Sequence, residues 1–218
     1  MGFVGQLIEN GMEQDLRNKR LRAMVRQLNA ERKRHAMKVD ILCNDLVESQ
    51  KQFISRLNTI DFSSGFYESI IGATELDKLF NQAAGMIESQ VFGAEVAFFL
   101  RKNNRIDIYP DRDWGNVSQG FRNIKNCMNL SLADMVCNAN KVCTLEEIFA
   151  MDVDGSLEGA EKLSAVAFPI GSAVKAGGFM LVSRDGENPL VSREIANIAA
   201  ITSGLSKAVE LCQMLACR

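Results

Sequence analysis

The sequence contains very few of the residues that build metal centres. It has one histidine, His35, and although it has six cysteines, no two of them form a Cys-x-x-Cys pair. Structural zinc sites take their four ligands from clustered cysteines and histidines. The composition therefore excludes a conventional zinc site, and we predict no metal site in the chain. It identifies no cofactor either.

Membrane and export signals are also missing from the sequence. No apolar run approaches the roughly 20 residues that a membrane-spanning helix needs. The first ten residues, MGFVGQLIEN, have neither the basic start nor the sustained apolar core of a secretory signal. Gln6 occupies the place where a myristoylation signal has Ser or Thr. We therefore expect a cytoplasmic protein with reduced thiols and no membrane span.

Proline and glycine are absent from residues 12–60, a stretch that is dense in charge. Residues 13–38 hold nine Lys/Arg against three Asp/Glu, a net charge of +6, so the rest of the chain carries −8 of the total of −2. A long run without helix breakers predicts a long helix. Its first half is a basic arm on an acidic chain.

An apolar seam follows this predicted helix in alternating steps of four and three residues from Leu21 to Ile60. Eight of its twelve positions are aliphatic or aromatic, with a polar interruption at Arg32 and His35. This rhythm is typical of a coiled coil, and a lone helix would leave the seam exposed to water. We predict a parallel homodimer, favoured over packing on the chain's own domain. The predicted interface residues are Leu21, Val25, Leu28, Val39, Leu42, Leu46 and Phe53.

The remainder of the chain predicts an α+β domain. We divide the chain into a helix over 1–60, a bend or linker over 61–74 where Ser, Gly and aromatics mix, and a domain over 75–218. Thr74 is the expected N-cap of the first domain helix, and Gly93 its end. The elements that follow are a hairpin over 94–111, an irregular segment over 111–130, a short helix over 131–141, a strand over 142–145, an acidic loop over 146–161, a hairpin over 164–185 and a last helix from Pro189. This order predicts one antiparallel sheet with the terminal helices on one face and the loops on the other.

Three segments resemble the GAF domain, a sensor-type family, over about residues 62–216. They are the helix and strand ELDKLFNQAAGMIESQVFGAEVAFFL, the helix and strand LADMVCNANKVCTLEE, and the hairpin SAVAFPIGSAVKAGGFMLVS with the helix PLVSREIANIAAITSGLSKAVEL. The resemblance implies that the 164–185 hairpin forms the middle of the sheet. It also implies that one sheet face floors a ligand cavity. The shared pattern is apolar, so it indicates fold rather than chemistry.

The residue motifs that carry known GAF chemistries are only partly present in this chain. Bilin-binding members use a cysteine beside a histidine, and here the single histidine lies on the long helix. Asn140-Lys141, Phe149, Asp152 and Asp154 are similar to a cyclic-nucleotide motif, but the spacing after Phe149 is short and the glutamate is missing. Asn-Lys is also a good turn in its own right.

A thiol enzyme of the free methionine sulfoxide reductase kind is the less favoured enzymatic alternative. The positions that match its cysteines lie near Ser131 and within GSLEGAEK, and neither is cysteine. We interpret Cys127 and Cys137 as small buried hydrophobic residues, because Cys137 lies near a helix C-terminus, which does not favour a thiolate. The reactivity of Cys143 stays open.

Two further motifs are interpreted as solvated segments. The Asp-rich DVDG lacks the acidic ladder and the twelfth-position Glu of a calcium-binding loop. The basic clusters RNKRLR and ERKRH have no interleaved aromatics, so we expect no nucleic-acid binding near physiological salt.

The cavity that the resemblance implies has candidate residues on the predicted sheet and the segments above it. Because strand residues alternate between faces, we assign to the floor Phe98, Ala167 and Met180. The wall candidates are Trp114, Phe121, Met135 and Phe149, with Asn140 and Asp152 as polar groups. Side chains that fill this space completely are the equally favoured alternative.

The function that these observations favour is a non-enzymatic regulatory module. It would dimerise through its long helix, sense a small molecule or a partner, and pass the signal to a separate protein. A ligand-free dimeric scaffold is the alternative from another class.

Overall fold

The computed structural model describes residues 2–102, 105–110, 118–151, 163–171 and 176–216, and the side chains within these ranges except those of residues 2–13, 15, 125, 149 and 151. Contacts divide the chain into two units, Met1–Ile54 and Ser55–Arg218. The first unit is helical throughout its described length. The second holds a five-stranded sheet and the remaining helices, which confirms the predicted α+β class.

Helix α1 spans Gly2–Ile70 and continues through most of the predicted 61–74 bend. Phe62, Phe66 and Ile70 recur every fourth residue on one helix face and are 7%, 0% and 8% exposed. Burial of these side chains outweighs the roughly 1 kcal/mol that Gly65 costs relative to alanine inside a helix. The helix ends before Gly72, whose φ of +81° disfavours other residues. The prediction of a bend was therefore wrong up to Ile70.

The other elements follow in the predicted order with two additions. Their bounds are α2 Leu76–Gln90, β1 Glu95–Lys102, β2 Arg105–Tyr109, α3 Gln119–Cys127, α4 Leu130–Ala139, β3 Cys143–Thr144, α5 Leu145–Met151, β4 Leu163–Gly171, β5 Ala176–Asp185 and α6 Ser192–Ala216. The additions are α3, within the segment predicted as irregular, and α5, which begins at the last residue of the predicted strand and continues into the predicted acidic loop. Both are short, and short amphipathic helices give too few turns for a clear period.

Helix starts also differ from prediction. The N-cap of α2 is Glu75, whose side chain makes no capping hydrogen bond, rather than Thr74. Asn129 caps α4, since its side chain accepts a hydrogen bond of 2.8 Å from the backbone N–H of Leu132. The last helix begins at Ser192, three residues after Pro189.

The sheet is antiparallel in every pairing, with strand order β2-β1-β5-β4-β3. The hairpin of β4 and β5 occupies its interior, as predicted. Gly178 in β5 allows a close approach to β1, because an added Cβ would lie 2.3 Å from the carbonyl oxygen of Phe99. Of the two glycines before Phe179, Gly178 is therefore the one that the packing of β5 against β1 requires.

A buried arginine fixes the start of α6 against β5. The Arg184 side chain is 7% exposed and donates from both terminal nitrogens to Glu194, at 3.0 and 2.8 Å. Its remaining hydrogen bonds go to the carbonyl oxygens of Asn188, Pro189 and Phe92. A buried guanidinium is stable only when an ion pair and hydrogen bonds replace its contacts with water. The contacts join three separate segments at one end of the sheet.

Within the described residues, no helix combines the length and apolarity needed to span a membrane.

Candidate functional site

The two faces of the sheet form two separate hydrophobic clusters. The first face consists of Val96, Phe98, Leu100, Val166, Phe168, Ile170, Met180 and Val182, and it packs against the end of α1, α2 and α6. The second face consists of Ala97, Phe99, Ala165, Ala167, Phe179 and Leu181, and it packs against α3, α4 and α5. The terminal helices therefore share one face, as predicted.

The predicted cavity floor is divided between these faces. Ala167 lies on the second face, and it shares a cluster with Phe121 of α3. Phe98 and Met180 lie on the first face, where they pair across β1 and β5 and where Phe98 stacks on Phe80 at 4.4 Å. Assigning them to the same floor as Ala167 was wrong. Alternation shows which residues of a strand share a face, but only strand register matches those faces between strands.

The second face is covered closely by the described residues. Phe99 and Phe179 stack with their ring centroids 4.8 Å apart and their planes 9° apart. The residues of α3, α4 and α5 buried over this face are Phe121, Ile124, Leu132, Ala133, Val136, Cys137, Leu145 and Ile148. Each is at most 7% exposed. This part of the face is a packed core rather than an open floor.

The structure places some of the other predicted cavity residues and leaves others undescribed. Met135 is partly buried against the second-face cluster. Asn140 is the C-cap of α4 with a left-handed φ of 45°, which supports the interpretation of Asn140-Lys141 as a turn. Trp114 and Asp152 lie outside the described residues. The backbone of Phe149 is part of α5, but its side chain is also outside them.

The described cysteines divide into buried and exposed side chains. Cys137, Cys143 and Cys212 are buried, whereas Cys43 and Cys127 are exposed. The interpretation of Cys127 as a buried hydrophobic residue was therefore wrong, and that of Cys137 is confirmed. Burial, and secondarily the Glu147 carboxylate, raises the pKa of the Cys143 thiol, with Lys141 opposing the shift. A raised thiol pKa reduces the thiolate fraction that a nucleophile needs.

A cleft that the sequence reasoning missed lies at one end of the second face. It has a volume of about 410 Å³, and it is lined by Glu95, Ser118, Gly120, Leu163 and Asp185 among others. The Glu95 carboxylate accepts hydrogen bonds from the backbone N–H and hydroxyl of Ser118, at 2.6 and 2.5 Å. This contact anchors the start of α3, and the Ser118 hydroxyl also accepts from the N–H of Phe121. The sequence signal for this helix start was a serine, Ser118, immediately before a short amphipathic run, which is typical of a helix N-cap.

The predicted seam of α1 is exposed along its whole length. Exposure of Leu21, Val25, Leu28, Val39, Leu42, Leu46 and Phe53 ranges from 52% to 69%. Exposed apolar side chains repeated along one helix face mark a candidate interaction site, and here only polar positions such as Arg32 and His35 interrupt the row.

Solved structures share the architecture of most of this chain in broad outline. The GAF domain of an Acinetobacter phosphoenolpyruvate-protein phosphotransferase matches with a TM-score of 0.52 at 12% identity, over 73% of this chain and 98% of that chain. A GAF domain from a Coxiella burnetii phosphoenolpyruvate-protein phosphotransferase gives 0.55 at 9% identity, over 74% and 98%. The fRMsr of Staphylococcus aureus, in complex with substrate, gives 0.50 at 9% identity, over 70% and 95%.

These likenesses show a GAF-like fold preceded by a long N-terminal helix. No protein-family model matches the sequence, and no curated protein matches it. Groups of three or more metal-ligating side chains are absent from the part of the chain that the structure describes.

Proposed function

We propose that the chain is a non-enzymatic regulatory module of the GAF type, which forms a homodimer through α1 and passes a signal to a separate protein. The observation that carries this proposal is the exposed seam of α1. The same helix that leaves Leu42 and Leu46 66% and 69% exposed buries Phe66 completely in the domain core. One continuous helix therefore carries both the seam and residues of the domain core.

Helix α6 supports the coupling between this surface and the domain. Its buried residues Ile198, Ile201 and Leu205 pack in the same cluster as Phe62 and Phe66 of α1. The ring of Tyr67 lies so close to α6 that a Cβ on Gly204 would come within 2.2 Å of it. A change in the packing of α6 would therefore act directly on the end of α1. The exposed Leu211, Met214 and Leu215 at the end of α6, near Ala73, would give the dimer a second apolar contact separate from the seam.

A ligand over the second face remains part of this proposal. Its candidate contacts are Phe121, Met135, Asn140 and Ala167, together with Trp114, Phe149 and Asp152. The fRMsr structure holds a substrate within a fold of this kind, which supports small-molecule binding as a general capability of the architecture. The signal would reach a downstream partner in the cytoplasm, through a change in how two copies of α1 pack.

A ligand-free dimeric scaffold is the second candidate, and the packed second face favours it. Phe121, Ile124 and Ala167 are 0%, 1% and 0% exposed, so a ligand would have to displace their contacts or bind beyond them. Both candidates need the α1 dimer. They differ in whether the second face opens to a small molecule.

The dimer is tested by the double substitution Leu42→Asp and Leu46→Asp. Each carboxylate would be buried in the seam without a partner, so we expect a folded monomer. Sedimentation velocity measures the mass, and circular dichroism confirms the fold. The matched control is Ile41→Asp with Val47→Asp, which adds the same charge at neighbouring exposed positions beside the seam and leaves the dimer intact. A dimer unchanged by the seam substitutions would refute the proposal.

A further inference from the structure

A second cleft, of about 330 Å³, lies between the end of α1 and the start of α6. Gln90 and Val91 at the end of α2 close one side of it. The cleft opens beside the first face of the sheet, since its lining residues Phe62 and Val91 belong to the first-face cluster. It is therefore separate from the candidate cavity over the second face.

The two helices give this cleft chemically different walls. Arg193 and Asn197 stand four residues apart on α6, and Asn58 and Asp61 stand three apart on α1. The hydroxyl of Thr59 donates to the Oδ1 atom of Asn197 at 2.8 Å. The amide N–H groups of Asn197 thus remain as donors. One wall offers positive charge and donors, and the other offers a carboxylate.

The charges of Asp61 and Arg193 are not used elsewhere in the described part of the chain. No ion pair or hydrogen bond engages the side chain of either residue there, although both line the same cleft. Glu194, the other carboxylate in the lining, is already engaged by Arg184 and by the backbone N–H of Val191. The cleft therefore presents one available anion and one available cation.

The rest of the lining contains the apolar side chains of Phe62, Val91 and Val191 beside the polar ones of Asn58 and Gln90. Phe62 and Val91 are 7% and 2% exposed, whereas Val191 is 52% exposed and offers apolar surface to a ligand. Opposite charges beside apolar surface suit a small zwitterion with an apolar substituent. The volume lies at the lower end of the range for small-molecule sites, roughly 300–1,000 Å³.

We propose that this cleft binds a free α-amino acid with an apolar side chain. Arg193 and Asn197 bind the carboxylate through charge-assisted hydrogen bonds, near the positive end of the α6 dipole. Asp61 binds the ammonium group, and the ligand's side chain packs on Val191 and the accessible part of Phe62. The ligand bridges α1 and α6, so it stabilises their packing. This site goes beyond the proposed dimeric function and does not depend on it.

The test is calorimetric titration of the full chain with L-leucine, L-methionine and L-phenylalanine in turn. We expect saturable binding of at least one, with a dissociation constant below about 1 mM. The leucine analogues isopentylamine, which lacks the carboxylate, and 4-methylpentanoate, which lacks the amine, are expected to bind at least about tenfold more weakly than leucine, because each loses one charged contact.

Two variants locate the site. Arg193→Gln and Asp61→Asn should each weaken binding about tenfold or more, whereas Lys207→Gln and Glu210→Gln, which remove the same charges at exposed positions of α6, should not. Unchanged thermal melting without ligand shows that the variants fold. The proposal is overturned if none of the three amino acids binds, or if Arg193→Gln and Asp61→Asn bind as the controls do. Sedimentation of Arg193→Gln reports the dimer separately, so the two proposals fail independently.

Discussion

Two stretches of α1 both repeat apolar residues along one helix face, but these side chains are exposed in one stretch and buried in the other. In residues 21–54, Leu42, Leu46 and Phe53 are 66%, 69% and 62% exposed. In residues 55–70, Phe62 and Phe66 are 7% and 0% exposed because α2, α6 and the sheet cover them. A periodic apolar face therefore shows that something must cover it. Whether the cover is the chain itself or a second molecule depends on the rest of the fold.

The largest effect expected from this comparison is that of Phe66→Ala. Truncation of a fully buried phenylalanine typically costs about 3–5 kcal/mol of unfolding free energy. The matched variant Phe53→Ala should change the stability of the domain by no more than about 0.5 kcal/mol and weaken the dimer instead. Urea unfolding followed by circular dichroism gives the change in stability, and sedimentation gives the change in dimer affinity. Equal destabilisation by the two variants would contradict the division between the stretches.

The variant Phe121→Ala tests whether the second face of the sheet is covered as completely as the first. If the face is a packed core, the variant should lose about 3 kcal/mol, at the lower end of the range because the short α3 can shift toward the space. Met135→Ala, at a partly buried position in α4, is the control and should lose less. A loss below about 1 kcal/mol for Phe121→Ala would show that its ring borders an open cavity, and would favour the sensor over the scaffold.

Thiol labelling extends the contrast between exposed and covered positions. At pH 7.5, Cys43 and Cys127 should react quickly with a disulfide reagent, and Cys137, Cys143 and Cys212 slowly. Burial raises the pKa of the Cys143 and Cys212 thiols, so their thiolate fractions are smaller at this pH and increase as the pH rises. Mass spectrometry of labelled peptides measures each rate. Labelling of Cys143 as fast as Cys43 in the folded chain would revive the thiol-enzyme alternative.

The smallest effect is expected in the basic arm of α1. Replacing Arg32, Lys33 and Arg34 with glutamine should leave the affinity for nucleic acid unchanged and weak at physiological salt, since no aromatic side chains accompany the charges. A gel shift with duplex DNA or single-stranded RNA measures this. Micromolar or tighter binding by the unmodified chain at that salt, lost in the triple variant, would show that the arm recognises nucleic acid.

The main elements of the domain could be predicted from the sequence because their patterns are local. Apolar runs on either side of turn residues predicted the two hairpins, and apolar spacing predicted α2 and α6. The misassigned bend at 61–70 shows the limit of such reasoning. Ser63, Ser64 and Gly65 are poor helix formers by propensity, but the burial of Phe62 and Phe66 against α6 decided the conformation.

The candidate site was less predictable than the fold. Phe121 and Ala167 do share a cluster, but Phe98 and Met180 lie across the sheet from them. That division follows from the register of β5 against β4 and of β5 against β1, and the pairs between β1 and β5 join residues 78–88 positions apart in the chain. The two clefts could not be anticipated either, since each is lined by segments distant in sequence.

Composition and local pattern were sufficient for the α+β class, the long helix and the exposed seam. These properties depend on neighbouring residues, whose spacing sets which side chains share a face. Only the tertiary structure decided which apolar faces the chain covers itself and which clefts remain. The contact of Thr59 with Asn197 joins residues 138 positions apart. Such contacts depend on the packing of whole elements, which no local pattern encodes.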